Sequence, residues 1–151
     1  MALDDDIRTL SGVELFKGFT QEQLRLLAFG TESMHLPAGR KLYLEDDEAD
    51  CAYVVASGSI VLFRENDKNR TPITTVKSGA ILGELALIAD TRRLTSAAAA
   101  TDSEVLRLNR KMFHRMLAEY PELAVRLHRH ITDELQALIR RIEEMASRFT
   151  P

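Results

Sequence analysis

Residues 79–98 read GAILGELALIADTRRLTSAA, and this stretch decides the fold of the chain. Short apolar runs typical of strands lie on both sides of it, and a helix-forming run over residues 84–89 interrupts them. Gly83 precedes that run, and two arginines, Arg92 and Arg93, follow it. The stretch therefore combines a change of secondary structure with residue types that bind anions.

The apolar runs around this stretch have the length and composition of antiparallel strands. They are rich in Val, Ile, Tyr and Thr, and turn signals such as Ser57-Gly58 and Ser78-Gly79 separate them. The runs cover residues 42–44, 52–56, 60–63, 73–76, 97–100 and 105–108. This spacing predicts a sandwich or a barrel.

Helical features flank the strand region on both sides. Residues 7–33 include Thr20 and Gln23, which are spaced as a capping box. Asn109 is a suitable N-cap for the first of two helices over residues 109–148. The order of elements is therefore helices, a β-roll and two helices.

Length and composition indicate one globular domain: 151 residues, of which 45% are hydrophobic and 28% are charged. The net charge of −3 gives no general attraction to nucleic acid or to an anionic membrane. The single cysteine, Cys51, cannot form an internal disulfide, and no apolar run approaches the ~20 residues of a membrane span. These features predict a cytoplasmic protein that binds neither nucleic acid nor membrane.

The residues around Gly83 suit a cyclic phosphate fused to a ribose. Gly83 has no Cβ and lets the backbone approach an anion, and the helix that it opens offers the N–H groups of Glu84, Leu85 and Ala86. Arg93 can donate a guanidinium fork to phosphate oxygens. Glu84 can accept from the 2′-hydroxyl that a 3′,5′-ring leaves free, and Arg93 can also serve as its cationic neighbour.

This stretch resembles the phosphate-binding cassette of the cyclic nucleotide-binding domains in bacterial catabolite activators, protein kinase regulatory subunits and nucleotide-gated channels. That cassette reads roughly Phe-Gly-Glu-Leu-Ala-Leu, a few residues, then Pro-Arg-Ala-Ala-Thr-Val. Residues 82–87 match it almost residue for residue, and Arg93 falls at the phosphate arginine. Pro37-Ala-Gly39 and Tyr53-Val-Val-Ala-Ser-Gly58 extend the resemblance beyond the cassette.

The resemblance implies a stand-alone sensor domain that is mainly β with flanking helices. We expect an N-terminal helical segment over residues 1–35 and a jelly-roll-like β-roll, or double-stranded β-helix, over 36–108 with the cassette at 79–98. Two helices follow over 109–148, the last one long, and the whole chain forms one cyclic nucleotide-binding domain.

The resemblance also implies a ligand site and a ligand preference. The predicted site residues are Leu82, Gly83, Glu84, Leu85, Ala86, Arg93, Leu94 and Thr95. Leu94 follows the phosphate arginine, where the family commonly has Ala, Ser or Thr and where a hydroxyl favours guanine. We therefore expect cAMP rather than cGMP as the ligand, and no other cofactor.

The final predicted helix carries an apolar stripe in alternating steps of four and three. The stripe comprises Ile131, Leu135, Leu138, Ile142 and Met145. It is short, so two interpretations stay open: the helix packs on its own β-roll, or it pairs with a second copy, as the resemblance to the catabolite activators favours. That resemblance also places a cap over the base, with Leu138, Ile139, Arg140 and Arg141 as candidates.

Two functions remain open at this point. In the first, nucleotide binding moves the cassette and the C-terminal helices, which signal to an unidentified partner protein. In the second, a degenerate β-roll binds no nucleotide and serves as a protein-interaction or dimerisation module. Leu94 and the apolar cap favour the second function, whereas Glu84 and Arg93 together argue against it.

Catalysis, metal binding and DNA binding are not expected. No Ser-His-Asp arrangement or paired acid and base can be assembled. His128 and His130 are two residues apart on a helix and point in different directions, and His130 with Glu134 lacks further metal ligands. The sequence ends at Pro151, without the further residues that a helix-turn-helix needs.

Overall fold

Antiparallel strands form a β-roll at the centre of the molecule. The computed structural model describes residues 2–66 and 69–149, with the side chains of 2, 66, 138, 142 and 145–149 left undescribed. Its strands are β1 (Thr31–Leu36), β2 (Lys41–Tyr43), β3 (Glu48–Ala49), β4 (Cys51–Ser57), β5 (Ser59–Asn66), β6 (Asn69–Lys77), β7 (Ile81–Leu82), β8 (Thr91–Arg92), β9 (Ser96–Ala99) and β10 (Ser103–Asn109). Within these residues, one sheet has the order β1-β10-β4-β7, a second has the order β2-β9-β5-β6, and β3 pairs with β8.

Helices flank the roll at both ends of the chain. They are α1 (Ala2–Ser11), α2 (Gln21–Phe29), α3 (Arg110–Glu119) and α4 (Pro121–Phe149). Two short 3-10 turns span Glu14–Phe16 and Glu84–Leu87. None of the described helices has the length and apolar character that crossing a bilayer requires. The predicted fold class, mainly β with flanking helices and a long final helix, is confirmed.

Two predicted helix caps are confirmed in atomic detail. Thr20 Oγ1 accepts from the Gln23 N–H at 3.1 Å, while Gln23 Oε1 accepts from the Thr20 N–H at 2.8 Å. Asn109 Oδ1 accepts from the Lys111 N–H at 2.8 Å and caps α3. These side chains satisfy N–H groups that the first helical turn leaves without a partner, so they fix where α2 and α3 begin.

The helical prediction for the N-terminal segment was wrong near its end. Helical structure was expected to residue 33 and the helical segment to 35, but α2 ends at Phe29 and residues 31–36 form β1. This strand pairs with β10 from Thr31 opposite Leu108 to Leu36 opposite Ser103. It lies at the edge of its sheet, and its central side chains are largely exposed, so the apolar alternation that identifies a strand is missing.

Strand β4 is buried on both faces because it separates the helical layer from the interior of the roll. Ala52 and Val54 pack in the cluster that contains the helices, whereas Cys51, Tyr53 and Val55 pack inside the roll. Successive side chains of a strand point to opposite faces, so one short run of residues contributes to both cores. Through β4, the packing of the helices is linked to the packing inside the roll.

Candidate functional site

The chain turns sharply at Gly83, directly after β7. Gly83 has φ +72°, in the left-handed region that favours glycine. A Cβ at this position would lie 2.2 Å from Nη1 of Arg93. Glycine is therefore required here both by the backbone conformation and by the close approach of Arg93.

The segment after Gly83 is a single 3-10 turn, and the longer helix predicted over residues 84–89 was wrong. The Ala86 N–H donates to the Gly83 carbonyl at 3.0 Å, and the chain then leaves the turn to form β8, which pairs with β3. The N–H of Ala86 thus has a partner within the turn, whereas the sequence predicted it to be free. Binding of a ligand by Glu84, Leu85 and Ala86 remains a prediction.

Arg93 lies behind this turn, with only 6% of its surface exposed. Its Nη2 donates to the carbonyl oxygen of Cys51 at 2.8 Å and contacts the Cys51 sulfur at 3.3 Å. The guanidinium also lies 4.4 Å from the centroid of the Tyr43 ring and 5.5 Å from that of Tyr53. Backbone and aromatic contacts therefore fix the position of the cation, and its two ring neighbours add cation–π attraction.

The Nη1 atom of Arg93 is buried and has no hydrogen-bond partner among the residues that the structure describes. A buried donor without a partner costs about 1–3 kcal/mol, because the group has lost its hydration and gained nothing in exchange. Nη1 is also the atom nearest to the missing Cβ of Gly83. An anion that reaches this turn would satisfy the donor.

Glu84 contacts α4 and is not paired with Arg93, so the expected role of Arg93 as its cationic neighbour is wrong. Burial, and after it the neighbouring Glu134 carboxyl of α4, raises the pKa of Glu84 to about 8. Glu84 in turn lowers the pKa of Glu134, and the two residues line the same cavity. Glu134 also accepts from Nε2 of His130 at 3.0 Å.

Two adjoining cavities meet at the Gly83 turn. The roll cavity has a volume of about 260 Å³, and the predicted site residues that line it are Leu82, Gly83, Leu85, Ala86, Arg93, Leu94 and Thr95. The helix cavity, of about 430 Å³, lies between the turn and α4, and Glu84 lines it together with Gly83, Leu85 and Leu94. The two charged side chains predicted to share one pocket thus line neighbouring cavities with three residues in common.

The candidate base caps are distributed along α4. Arg141 lines the helix cavity, whereas Ile139 and Arg140 are exposed. The side chain of Leu138 lies outside the described residues. Their role over a base stays a prediction.

Sequence reasoning missed the groups that position the two charged side chains. Tyr43 and Cys51 hold Arg93 from strands far away along the chain, and no local motif indicates this contact. The i,i+4 spacing of His130 and Glu134 was visible, but only as an incomplete metal site. In the described part of the chain, no three His, Cys, Asp or Glu side chains are placed to hold a metal ion.

Comparisons with known proteins agree with the geometry. The sequence profile of the cyclic nucleotide-binding domain family matches residues 33–120, more than half of the chain. The cAMP-dependent protein kinase regulatory subunit of Neurospora crassa is 32% identical over 108 residues, which are 72% of this chain and 28% of that protein. The cyclic AMP receptor protein of Thermus thermophilus is 29% identical over 117 residues, 76% of this chain and 54% of that protein.

A solved structure gives the same indication. The structure of a cyclic nucleotide-binding-like protein from Brucella abortus is 56% identical, with a TM-score of 0.70, and the match covers 76% of this chain and 99% of that one. The chain spans only 28% and 54% of the two sequence relatives named above. The likeness therefore concerns one domain of those longer proteins.

Proposed function

Because the chain belongs to the cyclic nucleotide-binding domain family, we propose that it binds a cyclic nucleoside monophosphate at the Gly83 turn, with cAMP preferred over cGMP. It acts as a regulatory domain without catalytic activity. Arg93 binds the cyclic phosphate, and Glu84 accepts a hydrogen bond from the ribose hydroxyl. Leu82, Leu85, Leu94 and Thr95 complete the walls around them.

The buried Nη1 atom of Arg93 is the observation that carries this proposal. Within the described residues it has no acceptor, and it occupies the space that a side chain at Gly83 would fill. A phosphate oxygen is the acceptor that such a guanidinium needs, because hydrogen bonds between two charged groups are stronger than neutral ones. The position of Arg93 is set by Cys51 and Tyr43, so little ordering is required when the anion binds.

The preference for cAMP rests on Leu94. This side chain lines both cavities and is 71% exposed, and it has no hydroxyl to offer to a guanine. Two of the relatives described above are named for cAMP, which supports the same choice.

In this proposal, the effect of nucleotide binding is transmitted through α4. Glu84 lines the helix cavity together with Glu134 and Leu135 of α4, so a ligand that engages Glu84 in this cavity changes the position that α4 prefers. A partner protein, or a second copy of the chain, reads that change. In this proposal, the protein acts in the cytoplasm.

A second function is favoured by one observation: Arg93 and Glu84 line different cavities. A β-roll in which the two groups never act on one ligand would serve as a protein-interaction or dimerisation module instead. The experiment below separates the two functions.

Calorimetric titration of cAMP and cGMP into wild type and Arg93→Ala tests the proposal. We expect wild type to bind cAMP more tightly than cGMP, and Arg93→Ala to weaken cAMP binding by about 2 kcal/mol, roughly 30-fold, through loss of a charge-assisted contact. Arg40→Ala is the control, because Arg40 is an exposed arginine of the roll that lines neither cavity. Binding of neither nucleotide to wild type would support the interaction module.

A further inference from the structure

The backbone of Arg93 is hydrogen-bonded on both sides to the turn that precedes β3, which comprises residues 44–47 and is called here the 44–47 turn. The Arg93 N–H donates to the Asp47 carbonyl at 2.9 Å, and the Arg93 carbonyl accepts from the Asp46 N–H, also at 2.9 Å. The turn closes on itself, because the Asp47 N–H donates to the Leu44 carbonyl at 3.1 Å and the Asp47 carboxylate accepts from the Leu44 N–H at 3.0 Å. The position of Arg93 therefore depends on the conformation of this turn.

Asp46 adopts a backbone conformation that is unfavourable for its residue type. Its φ of +71° lies in the left-handed region, and in the part of the chain that the structure describes it is the one residue other than glycine with a positive φ. Aspartate tolerates this region better than most residues, but it still carries a cost that glycine does not. The 44–47 turn is thus a strained element, and contacts from outside the turn have to stabilise it.

Arg92 supplies such a contact. The Nη1 atom of Arg92 donates to the carbonyl oxygen of Asp46 at 2.9 Å. Because the donor is charged, this hydrogen bond is stronger than one between two neutral groups. Asp46 is therefore bonded through its N–H to Arg93 and through its carbonyl to Arg92, so both of its backbone polar groups contact the strand segment that carries the two arginines.

We propose that Arg92 is a positioning residue of the nucleotide site: it stabilises Asp46 in the left-handed conformation, and the 44–47 turn then fixes the backbone of Arg93. This inference rests on the proposed function of Arg93. With its backbone fixed by the turn and its Nη2 bonded to Cys51, Arg93 keeps Nη1 at Gly83, where the phosphate is proposed to bind. In molecules in which Asp46 leaves this conformation, Arg93 loses a backbone partner. Only the remaining fraction is competent to bind, and the apparent affinity falls by that fraction.

A direct contact between Arg92 and the nucleotide is the competing explanation. Arg92 lines the roll cavity together with Arg93, so its charge lies near the proposed phosphate site. The two explanations differ in one respect: positioning acts through the strained conformation of Asp46, whereas a direct contact does not depend on residue 46. A substitution that removes the strain therefore distinguishes them.

Calorimetric titration of cAMP into wild type, Arg92→Ala, Asp46→Gly and the double variant tests the inference. Arg92→Ala is expected to bind about fivefold more weakly than wild type, which corresponds to the loss of one exposed charged hydrogen bond. Glycine adopts the left-handed conformation without the cost, so Arg92→Ala introduced into Asp46→Gly is expected to weaken binding by less than about twofold. Arg40→Ala is the control for the loss of one positive charge, because Arg40 is exposed and lines neither cavity.

Amide hydrogen exchange in the ligand-free protein supplies a second readout that needs no nucleotide. The N–H groups of Asp46 and Arg93 are expected to exchange about fivefold faster in Arg92→Ala than in wild type, and to slow again in the double variant, because exchange reports local opening of the turn. The Gly39 N–H donates to the Ala99 carbonyl at 2.7 Å in a different turn and is the control. Its exchange is expected to be the same in all four proteins, which separates local opening from a loss of global stability.

Three outcomes would contradict the proposals. Equal cAMP affinity in wild type and Arg92→Ala, or unchanged exchange at Asp46 and Arg93, would refute the positioning role of Arg92. An affinity loss of the same size with and without Asp46→Gly would show a direct contact with the nucleotide and would refute positioning as well. Failure of wild type to bind cAMP, together with the expected exchange pattern, would refute the proposed function and leave the stabilisation of the 44–47 turn by Arg92 intact.

Discussion

Gly83 and Gly39 both adopt positive φ, but they differ in what surrounds them. Gly83 has φ +72° with Nη1 of Arg93 at 2.2 Å from a Cβ, whereas Gly39 has φ +88° and no atom within 4 Å. Any side chain at either position carries the backbone penalty of the left-handed region, about 1–2 kcal/mol. Only at Gly83 does a side chain also displace Arg93. Substitutions at the two glycines therefore distinguish an effect on stability from an effect on ligand binding.

Substitution of these glycines by alanine makes that separation measurable. Gly39→Ala is expected to lose about 1 kcal/mol of unfolding free energy in urea titrations through the backbone cost alone, and Gly83→Ala is expected to lose more, because the buried Arg93 also has to move. Only Gly83→Ala is expected to lose cAMP binding, by at least about tenfold (1.4 kcal/mol), since Arg93 has to move. Equal affinity in the two variants would show that the close approach of Arg93 to the turn is not part of the ligand site.

At the residue scale, the sequence was sufficient to predict those contacts that form between residues of one motif. Gly83 and Arg93 are ten residues apart in one motif, and their placement next to each other follows from the motif. The partner of Glu84 lies on another element, and a carboxyl is an unusual choice where the sequence led us to expect a cation. Only long-range packing of α4 against the turn brings Glu134 there, and no periodicity in the sequence encodes that distance.

At the scale of elements, the cap of α3 connects the roll to the helices that are proposed to carry the signal. Asn109 ends β10 and caps α3 with a 2.8 Å bond from the Lys111 N–H. Asn109→Ala is expected to lower the free energy of unfolding by about 1 kcal/mol, because one N–H of the first turn loses its acceptor. Asn109→Asp keeps an acceptor and is the control, and urea denaturation of both variants supplies the comparison. A loss of equal size in the aspartate variant would contradict capping as the cause.

The strands that could be predicted from the sequence carry a run of buried apolar residues, and the strands that were missed do not. The apolar runs that became β4 and β5 were predicted because burial on the inside of the roll selects Val, Ile and Phe. In contrast, β1 is an exposed edge strand, and β3 and β8 are strands of only two residues that pair with each other. The run at residues 84–89 has good helix formers, yet only one 3-10 turn forms. The chain has to leave this turn within a few residues in order to pair β8 with β3.

At the scale of the whole molecule, the proposed ligand site lies between two cores. Arg93 is held from inside the roll by Cys51 and Tyr43, whereas Glu84 lines the cavity between the turn and α4. A ligand that engages both residues therefore has to bring the two sides of the Gly83 turn together. The proposed transmission to α4, a helix of 29 residues, depends on this requirement, because the turn is shared by both cavities.

Along α4, burial changes within the apolar stripe and bears on the two interpretations of this helix. Ile131 is 5% exposed and packs in the helical core, while Leu135, one turn later, is 45% exposed. Ile142 and Met145 lie outside the described side chains. The first part of the stripe thus packs on its own roll, Leu135 lines the helix cavity, and a second copy of the chain is the proposed partner for the part that follows Leu135.

Sedimentation equilibrium tests this dimer. Wild type is expected to sediment at about twice its chain mass of 17.0 kDa, because apolar side chains at a coiled-coil spacing bury one another. Leu138→Glu, a substitution within the stripe beyond Leu135, is expected to shift the protein to the monomer, since it places charges in the interface of both copies. Val125→Glu is the matched control, because Val125 is 61% exposed on the same helix but lies off the stripe. A monomeric wild type, or dissociation by both substitutions alike, would show that the stripe does not form the interface, and the signal from the Gly83 turn would then have to reach a different partner.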